Sequence, residues 1–85
     1  MDTNEVTDGI VNQPSHYTAY SIEPITFIME NRLEFAEGNI IKYTLRAGKK
    51  LYPGMDATES AITDLEKVRR YAEMKINLLK GQSVL

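Results

Sequence analysis

The chain has 85 residues, with 10 Lys and Arg against 12 Asp and Glu, a net charge of −2, and 42% hydrophobic residues. This length predicts one domain, and the composition is that of a folded globular protein rather than a disordered one. The lack of cysteine excludes disulfides, thiolate zinc sites and a thiol nucleophile. The acidic balance disfavours nucleic-acid binding, and the short apolar runs exclude a membrane span.

The start of the chain is polar and rich in turn-forming residues. Residues 1–10 show no helical period and are expected to form a flexible arm. The acidic first residues lack the basic and apolar segments of a signal peptide, so a cytoplasmic protein is expected. Residues 11–85 are expected to form one helical domain, which begins as an extended segment because Pro14 restricts its own backbone and that of Gln13.

Two short helices are predicted next. The first covers residues 22–32, with Ser21 as its cap and Pro24 tolerated in the first turn. Residues 33–38 break the apolar pattern and are predicted to turn. The second helix covers residues 39–47.

A glycine marks the end of the second predicted helix. Gly48 stands where a left-handed C-terminal cap is expected, and two lysines follow it at the negative end of the helix dipole. Residues 51–55 contain a Pro-Gly pair and are predicted to form a loop.

The third helix is the longest. It begins with a capping box of Asp56 and Glu59, runs for about 25 residues and stops at Gly81. Apolar residues recur along it at spacings of three and four, namely Ala61, Leu65, Val68, Ala72, Ile76 and Leu79. Two short helices cannot cover a rod of this length. The prediction is an all-α fold of an extended N-terminal segment and three helices, assembled as a helical oligomer through an antiparallel helix pair; the alternative is that the last turns fray.

A polar stripe on the second helix suggests chemistry. Asn39, Lys42, Tyr43 and Arg46 fall at i, i+3, i+4 and i+7 and share one face, which Lys49 and Lys50 extend past the helix end. Arg and Lys side chains bind phosphate oxygens, and Tyr43 can stack on a base or donate its hydroxyl. The stripe therefore indicates an anion site for nucleotide phosphates, with a solvated helix face as the alternative.

The Gly48-Lys49 pair does not belong to a P-loop. A P-loop needs a glycine five residues before this pair and a Ser or Thr after it, where this chain has Tyr43 and Lys50. Nucleotide binding would therefore use another arrangement.

His16 is the only histidine of the chain. It can donate a hydrogen bond to phosphate or act as an acid–base group, or it can pin its loop to a helix. On the third helix, Asp64 and Lys67 form an i, i+3 pair that reads as an ordinary surface pair, although Asp64 could also hold a metal ion that bridges phosphates. No metal site is predicted.

Several blocks of the sequence resemble a small-protein family of tailed bacteriophages, catalogued as a domain of unknown function, which includes a coliphage nucleotide monophosphate kinase. The resemblance covers about residues 11–80. It rests on residues 11–17 (VNQPSHY), 22–23 (IE), 38–50 (GNIIKYTLRAGKK) and 64–67 (DLEK).

The resemblance implies a phage protein of the host cytoplasm that acts on deoxynucleoside monophosphates, forms a homo-oligomer and has no P-loop. ATP or another nucleotide would be the phosphate donor. The expected catalytic residues are His16, Lys42 and Arg46. The expected substrate-binding residues are Asn12, Ser15, Tyr17, Asn39, Tyr43, Lys49, Lys50, Asp64 and Lys67.

Two other functions remain open at this point. One is a phage protein that sequesters a nucleotide signal of host defence without turnover. The other is an inhibitor that docks on a host protein through its acidic arm and long helix.

Overall fold

The computed structural model describes residues 19–84, and this part of the chain consists of three helices without strands. Helix α1 is Pro24–Glu30, α2 is Phe35–Arg46 and α3 is Ala57–Leu79. The all-α class and the three helices are thereby confirmed. The predicted arm and extended segment lie outside the described residues. None of the three helices is both long and apolar enough to cross a membrane.

Helix α1 is shorter than predicted. Its N-cap is Glu23, without a side-chain capping bond, so the prediction that Ser21 caps it is wrong. Pro24 occupies the first turn as expected, where its missing N–H leaves no bond unmade. The helix ends before Arg32, which has a positive φ of 55° and therefore cannot continue it.

Helix α2 begins at Phe35, four residues before the predicted start, and Gly38 lies inside it. A Cβ at Gly38 would lie 2.8 Å from Cγ2 of Ile28. The glycine therefore permits close approach of α1 to α2 and does not form a turn. The predicted turn at residues 33–38 is therefore wrong from Phe35 onward, where the chain is helical.

The other helix ends were correctly predicted. Gly48 follows α2 with a φ of 80°, and Gly81 follows α3 with a φ of 73°. At the start of α3, the Asp56 carboxylate accepts the backbone N–H of Glu59, while the Glu59 carboxylate accepts the N–H of Asp56. This reciprocal capping box gives α3 a defined first turn.

The helices pack in sequence order, with α2 against both of its neighbours. At one end of the α2–α3 contact, Phe35 meets Tyr71 edge to face with 5.9 Å between ring centres. Lys75 makes ion pairs with Glu34 and Glu37 beside it. No hydrophobic side chain among residues 19–84 is buried, whereas the polar side chains of Arg46, Ser60 and Asp64 are. The centre of the α2–α3 contact is therefore polar.

Candidate functional site

The polar centre joins three elements through one tyrosine hydroxyl. Tyr52, in the loop between α2 and α3, donates a hydrogen bond of 2.5 Å to Oδ1 of Asp64. The same hydroxyl accepts one from Nη2 of Arg46 at 2.6 Å. Arg46 in turn lies 3.4 Å from Oδ1 of Asp64. A cation at the end of α2 and a carboxylate of α3 thus both form hydrogen bonds with the hydroxyl of one loop residue.

The loop that carries Tyr52 is itself tied to α3. The backbone N–H of Tyr52 donates to Oγ of Ser60 at 3.0 Å, and Ser60 is fully buried in the first part of the helix. This bond fixes the position of the Tyr52 backbone along the axis of α3. The Tyr52 hydroxyl is thereby held near Arg46 at the end of α2 and Asp64 in α3.

Lys67, one turn after Asp64 on α3, completes a cluster with Arg46, Tyr52 and Asp64. Its Nζ donates to the hydroxyl of Tyr52 at 2.8 Å. It also lies 4.8 Å from the ring centre of Tyr52 and 4.9 Å from that of Tyr43, within the range of cation–π contacts. Three contacts therefore hold this ammonium group in one place.

The hydrogen bonds of the cluster favour its positive charges. Burial disfavours the charge of Arg46, but hydrogen bonds to Asp64 and Tyr52 outweigh it and raise the pKa of the guanidinium. The hydrogen bond to Tyr52 raises the pKa of Lys67 in spite of its partial burial. Both groups remain cationic at physiological pH.

Asp64 differs from its prediction. The sequence placed it on a solvated face in a surface pair with Lys67, but its side chain is fully buried. Asp64 can be buried because the positive charge of Arg46 offsets the cost of removing the carboxylate from water. Oδ2 of Asp64 is buried without a hydrogen-bond partner. The described residues contain no group of three or more His, Cys, Asp or Glu side chains that could hold a metal ion.

Tyr43 is enclosed by other groups of the site. Its ring stacks on Tyr71 with 6.0 Å between centres and 9° between planes. Arg46 and Lys42 lie 4.6 Å and 5.0 Å from its centre. Tyr43 thus forms part of the wall of the cluster, and the structure leaves little of its ring to stack on a base.

The remaining lysines of the predicted face separate. Nζ of Lys50 lies 5.2 Å from the ring centre of Tyr52 and so joins the cluster. Nζ of Lys49 lies instead 5.1 Å from the ring of Tyr20, whose hydroxyl donates to the carbonyl of Leu45. The prediction that both lysines extend one face is therefore wrong for Lys49, because the chain turns at Gly48.

A cleft of about 270 Å³ lies between α1 and α2, beside the cluster. Its walls are mostly apolar, with Ile28, Met29 and Phe35 among them, and Asn39 and Lys42 supply polar groups. The Asn39 amide donates to the carbonyl of Phe35 at 2.9 Å. Lys42 belongs to both the cleft and the cluster, so it connects the two.

The structure therefore brings together Lys42, Tyr43, Arg46, Lys50, Asp64 and Lys67 of the predicted site, with Asn39 at its edge. The predicted residues Asn12, Ser15, His16 and Tyr17 lie outside the described residues. Tyr52 and Ser60 were missed. Tyr52 lies in a loop, outside any periodic pattern, so nothing in the sequence signalled its part. Ser60 stands four and seven residues before Asp64 and Lys67, and this helical spacing could have placed it on their face of α3.

Comparison with known proteins gives one family. Residues 11–73 match a family described as a protein of unknown function, DUF3310. The match includes all of α1, α2 and the cluster. No curated protein and no solved structure matches the chain significantly.

Proposed function

The chain belongs to the DUF3310 family, and from its site together with the resemblance of its sequence blocks we propose that it is a phage nucleotide-binding protein that acts as a (deoxy)nucleoside monophosphate kinase without a P-loop. The observation that carries the proposal is the ammonium group of Lys67, which is fixed by Tyr52 and Tyr43 in the cation cluster. The phage origin and the kinase activity rest on the resemblance of the sequence blocks.

The cluster carries more positive than negative charge. Lys42, Lys50 and Lys67 make no ion pair with any carboxylate of residues 19–84, while Arg46 uses Asp64. Three ammonium groups around two tyrosine rings attract an anion with several oxygens, and a phosphate or diphosphate has this chemistry. The charge excess is local, since the whole chain is acidic.

Arg46 has a supporting part in this proposal. It was expected to touch substrate as a catalytic residue, but it is 5% exposed and held by Asp64 and Tyr52. Its charge still contributes to the field of the site, and its main effect is to fix the tyrosine that orients Lys67. The lysines are the groups that contact phosphate.

The base of the nucleotide fits the cleft between α1 and α2. Apolar walls suit the faces of a flat ring, and no hydrogen bond among the described residues reaches the amide oxygen of Asn39, so it can accept one from a base edge. Lys42, which borders both cleft and cluster, lies where the sugar and phosphate of such a ligand would pass.

The proposed reaction moves the terminal phosphoryl group of ATP to a phosphate oxygen of the monophosphate. One P–O bond breaks and one forms, and the products are ADP and a nucleoside diphosphate. Such a transfer depends chiefly on positioning and charge neutralisation. Lys67, held by Tyr52, provides a positioned charge, and Lys42 and Lys50 add to the neutralisation.

Two experiments test the proposal. The first measures binding of ATP, dTMP, dGMP and the corresponding nucleosides by calorimetry; nucleotides should bind and nucleosides should not. The second follows ATP with dTMP or dGMP and magnesium by phosphorus NMR, where diphosphate should form. Lys67→Met should weaken binding tenfold or more, whereas Lys75→Met, a matched change in a lysine that pairs with Glu34 and Glu37, should leave it unchanged.

A nucleotide-sequestering protein is the second candidate. It is favoured by the state of Asp64, which is held by Arg46 and Tyr52, so the described part of the site offers no carboxylate as a proton acceptor. Tight binding with all nucleotide recovered intact would select this function. Absence of any nucleotide affinity would instead select the inhibitor of a host protein.

A further inference from the structure

Helix α3 has an apolar side that α2 does not cover. The side of α3 that faces α2 and the loop after it carries Ser60, Asp64, Lys67 and Tyr71: Asp64, Lys67 and Tyr71 contact α2, and Ser60 and Lys67 contact Tyr52 of the loop. About two-fifths of a turn away, at 100° per residue, lies a second line of positions with heptad spacing. It consists of Ile62, Leu65, Arg69, Ala72, Ile76 and Leu79, called here the apolar stripe.

The stripe is exposed over nearly the whole helix. Ile62 is 51% exposed, Leu65 and Ile76 are 49% exposed, and Leu79 is 75% exposed. Since no hydrophobic residue among residues 19–84 is fully buried, these side chains are not the surplus of a completed core. Large apolar lines of this kind on a small protein mark an interaction surface.

We propose that the apolar stripe binds the same stripe of a second copy, antiparallel, with the two-fold axis at the midpoint between Arg70 and Tyr71. Facing positions then lie at equal distances on either side of that midpoint. Leu65 meets Ile76 of the second copy. Ile62 likewise meets Leu79 of the second copy, so every large apolar residue of the stripe has an apolar partner.

The charged position of the stripe supports this register. Arg69 faces Ala72 of the second copy, whose small side chain leaves room for the long one. Glu73 of the second copy is the next residue, so the guanidinium gains a carboxylate across the interface. Within its own chain Arg69 pairs with Glu66 at 3.7 Å. This pair is weak, because both side chains are more than 60% exposed. A parallel pairing would instead place the two Arg69 side chains opposite each other, where like charges repel.

Cysteine pairing tests the register, because the natural chain contains no cysteine. Leu65→Cys and Ile76→Cys are made singly and together at these exposed positions, and each protein is oxidised mildly. The double variant should form a disulfide-linked dimer, and so should a mixture of the two single variants. Each single variant alone should not, since its two cysteines would stand eleven residues apart along the helices, about 16 Å, beyond the reach of a disulfide.

The outcomes separate the arrangements. Efficient crosslinking of either single variant alone would show a parallel pair and overturn the proposal. Absence of crosslinks in the mixture, with circular dichroism showing intact helices, would also overturn it.

A second measurement uses the mass in solution. Leu65→Asp should lower the mass in analytical ultracentrifugation because it puts charge into the seam. Asn77→Asp adds the same charge outside the stripe and should leave the mass unchanged. Equal masses for both variants would overturn the proposal. Neither experiment depends on nucleotide, so its result is independent of the proposed function.

Discussion

The hydroxyl of Tyr52 donates a hydrogen bond of 2.5 Å to the fully buried carboxylate of Asp64. The residues stand twelve positions apart, one in a loop and the other in the middle of the polar contact between α2 and α3. The bond makes a loop residue part of the helix contact, and it aligns the same hydroxyl with Lys67.

Tyr52→Phe keeps the ring and removes this hydroxyl. Asp64, Arg46 and Lys67 each lose a hydrogen-bond partner, so the free energy of unfolding should fall by about 1–3 kcal/mol. Urea denaturation followed by circular dichroism measures the change. Tyr71→Phe is the matched control: the Tyr71 hydroxyl makes no hydrogen bond among the described residues, and its loss should change stability by less than about 0.5 kcal/mol.

Asp64→Ala removes the α3 carboxylate that pairs with the buried guanidinium of Arg46. Breaking a buried pair from one side costs about 3–5 kcal/mol, and we expect a loss of this size in urea denaturation. The double variant Asp64→Leu with Arg46→Met should recover most of the loss, because it removes both charges and fills the space. A double variant no more stable than Asp64→Ala would show that the pair does not act as a unit.

Gly38→Ala should destabilise the protein although alanine favours helices. The new methyl group would lie 2.8 Å from Cγ2 of Ile28, so α1 and α2 must separate, at a cost of about 1–3 kcal/mol. In an Ile28→Ala background the clash is gone, and the same change should be neutral or stabilising by up to about 1 kcal/mol. A similar loss in both backgrounds would contradict the steric explanation.

The Glu37 carboxylate should titrate below its ordinary value of 4.5. A hydrogen bond from its own backbone N–H is the main cause of the lowered pKa, and a hydrogen bond from Lys75 is the next. Because the pKa is lower in the folded state, this contribution to stability is present above pH 4.5 and is lost as pH falls through the folded pKa. Carbon-detected NMR titration measures the value directly.

Lys75→Met separates the two causes. The pKa of Glu37 should rise in this variant but stay below 4.5, since the backbone hydrogen bond remains. A full return to 4.5 would mean that Lys75 is the dominant cause.

Local signals predicted much of the fold. The capping box of Asp56 and Glu59 and the glycines after α2 and α3 act within one turn, so their effects are legible in the sequence itself. The prediction at Gly38 was wrong for the opposite reason. A glycine is needed there because Ile28 of another helix packs against it, and the sequence alone does not distinguish such a glycine from one that forms a turn.

For the site, the sequence alone indicated that lysines, Arg46 and Tyr43 share a face of α2, because helical spacing is a local property. The sequence also indicated that α3 carries more apolar residues than two short helices can cover. Only the tertiary structure decided that Arg46 turns inward to Asp64, that Lys49 leaves the cluster and that Tyr52 enters it. These outcomes depend on which groups meet in three dimensions, since a buried charge needs a partner and that partner can lie anywhere in the sequence.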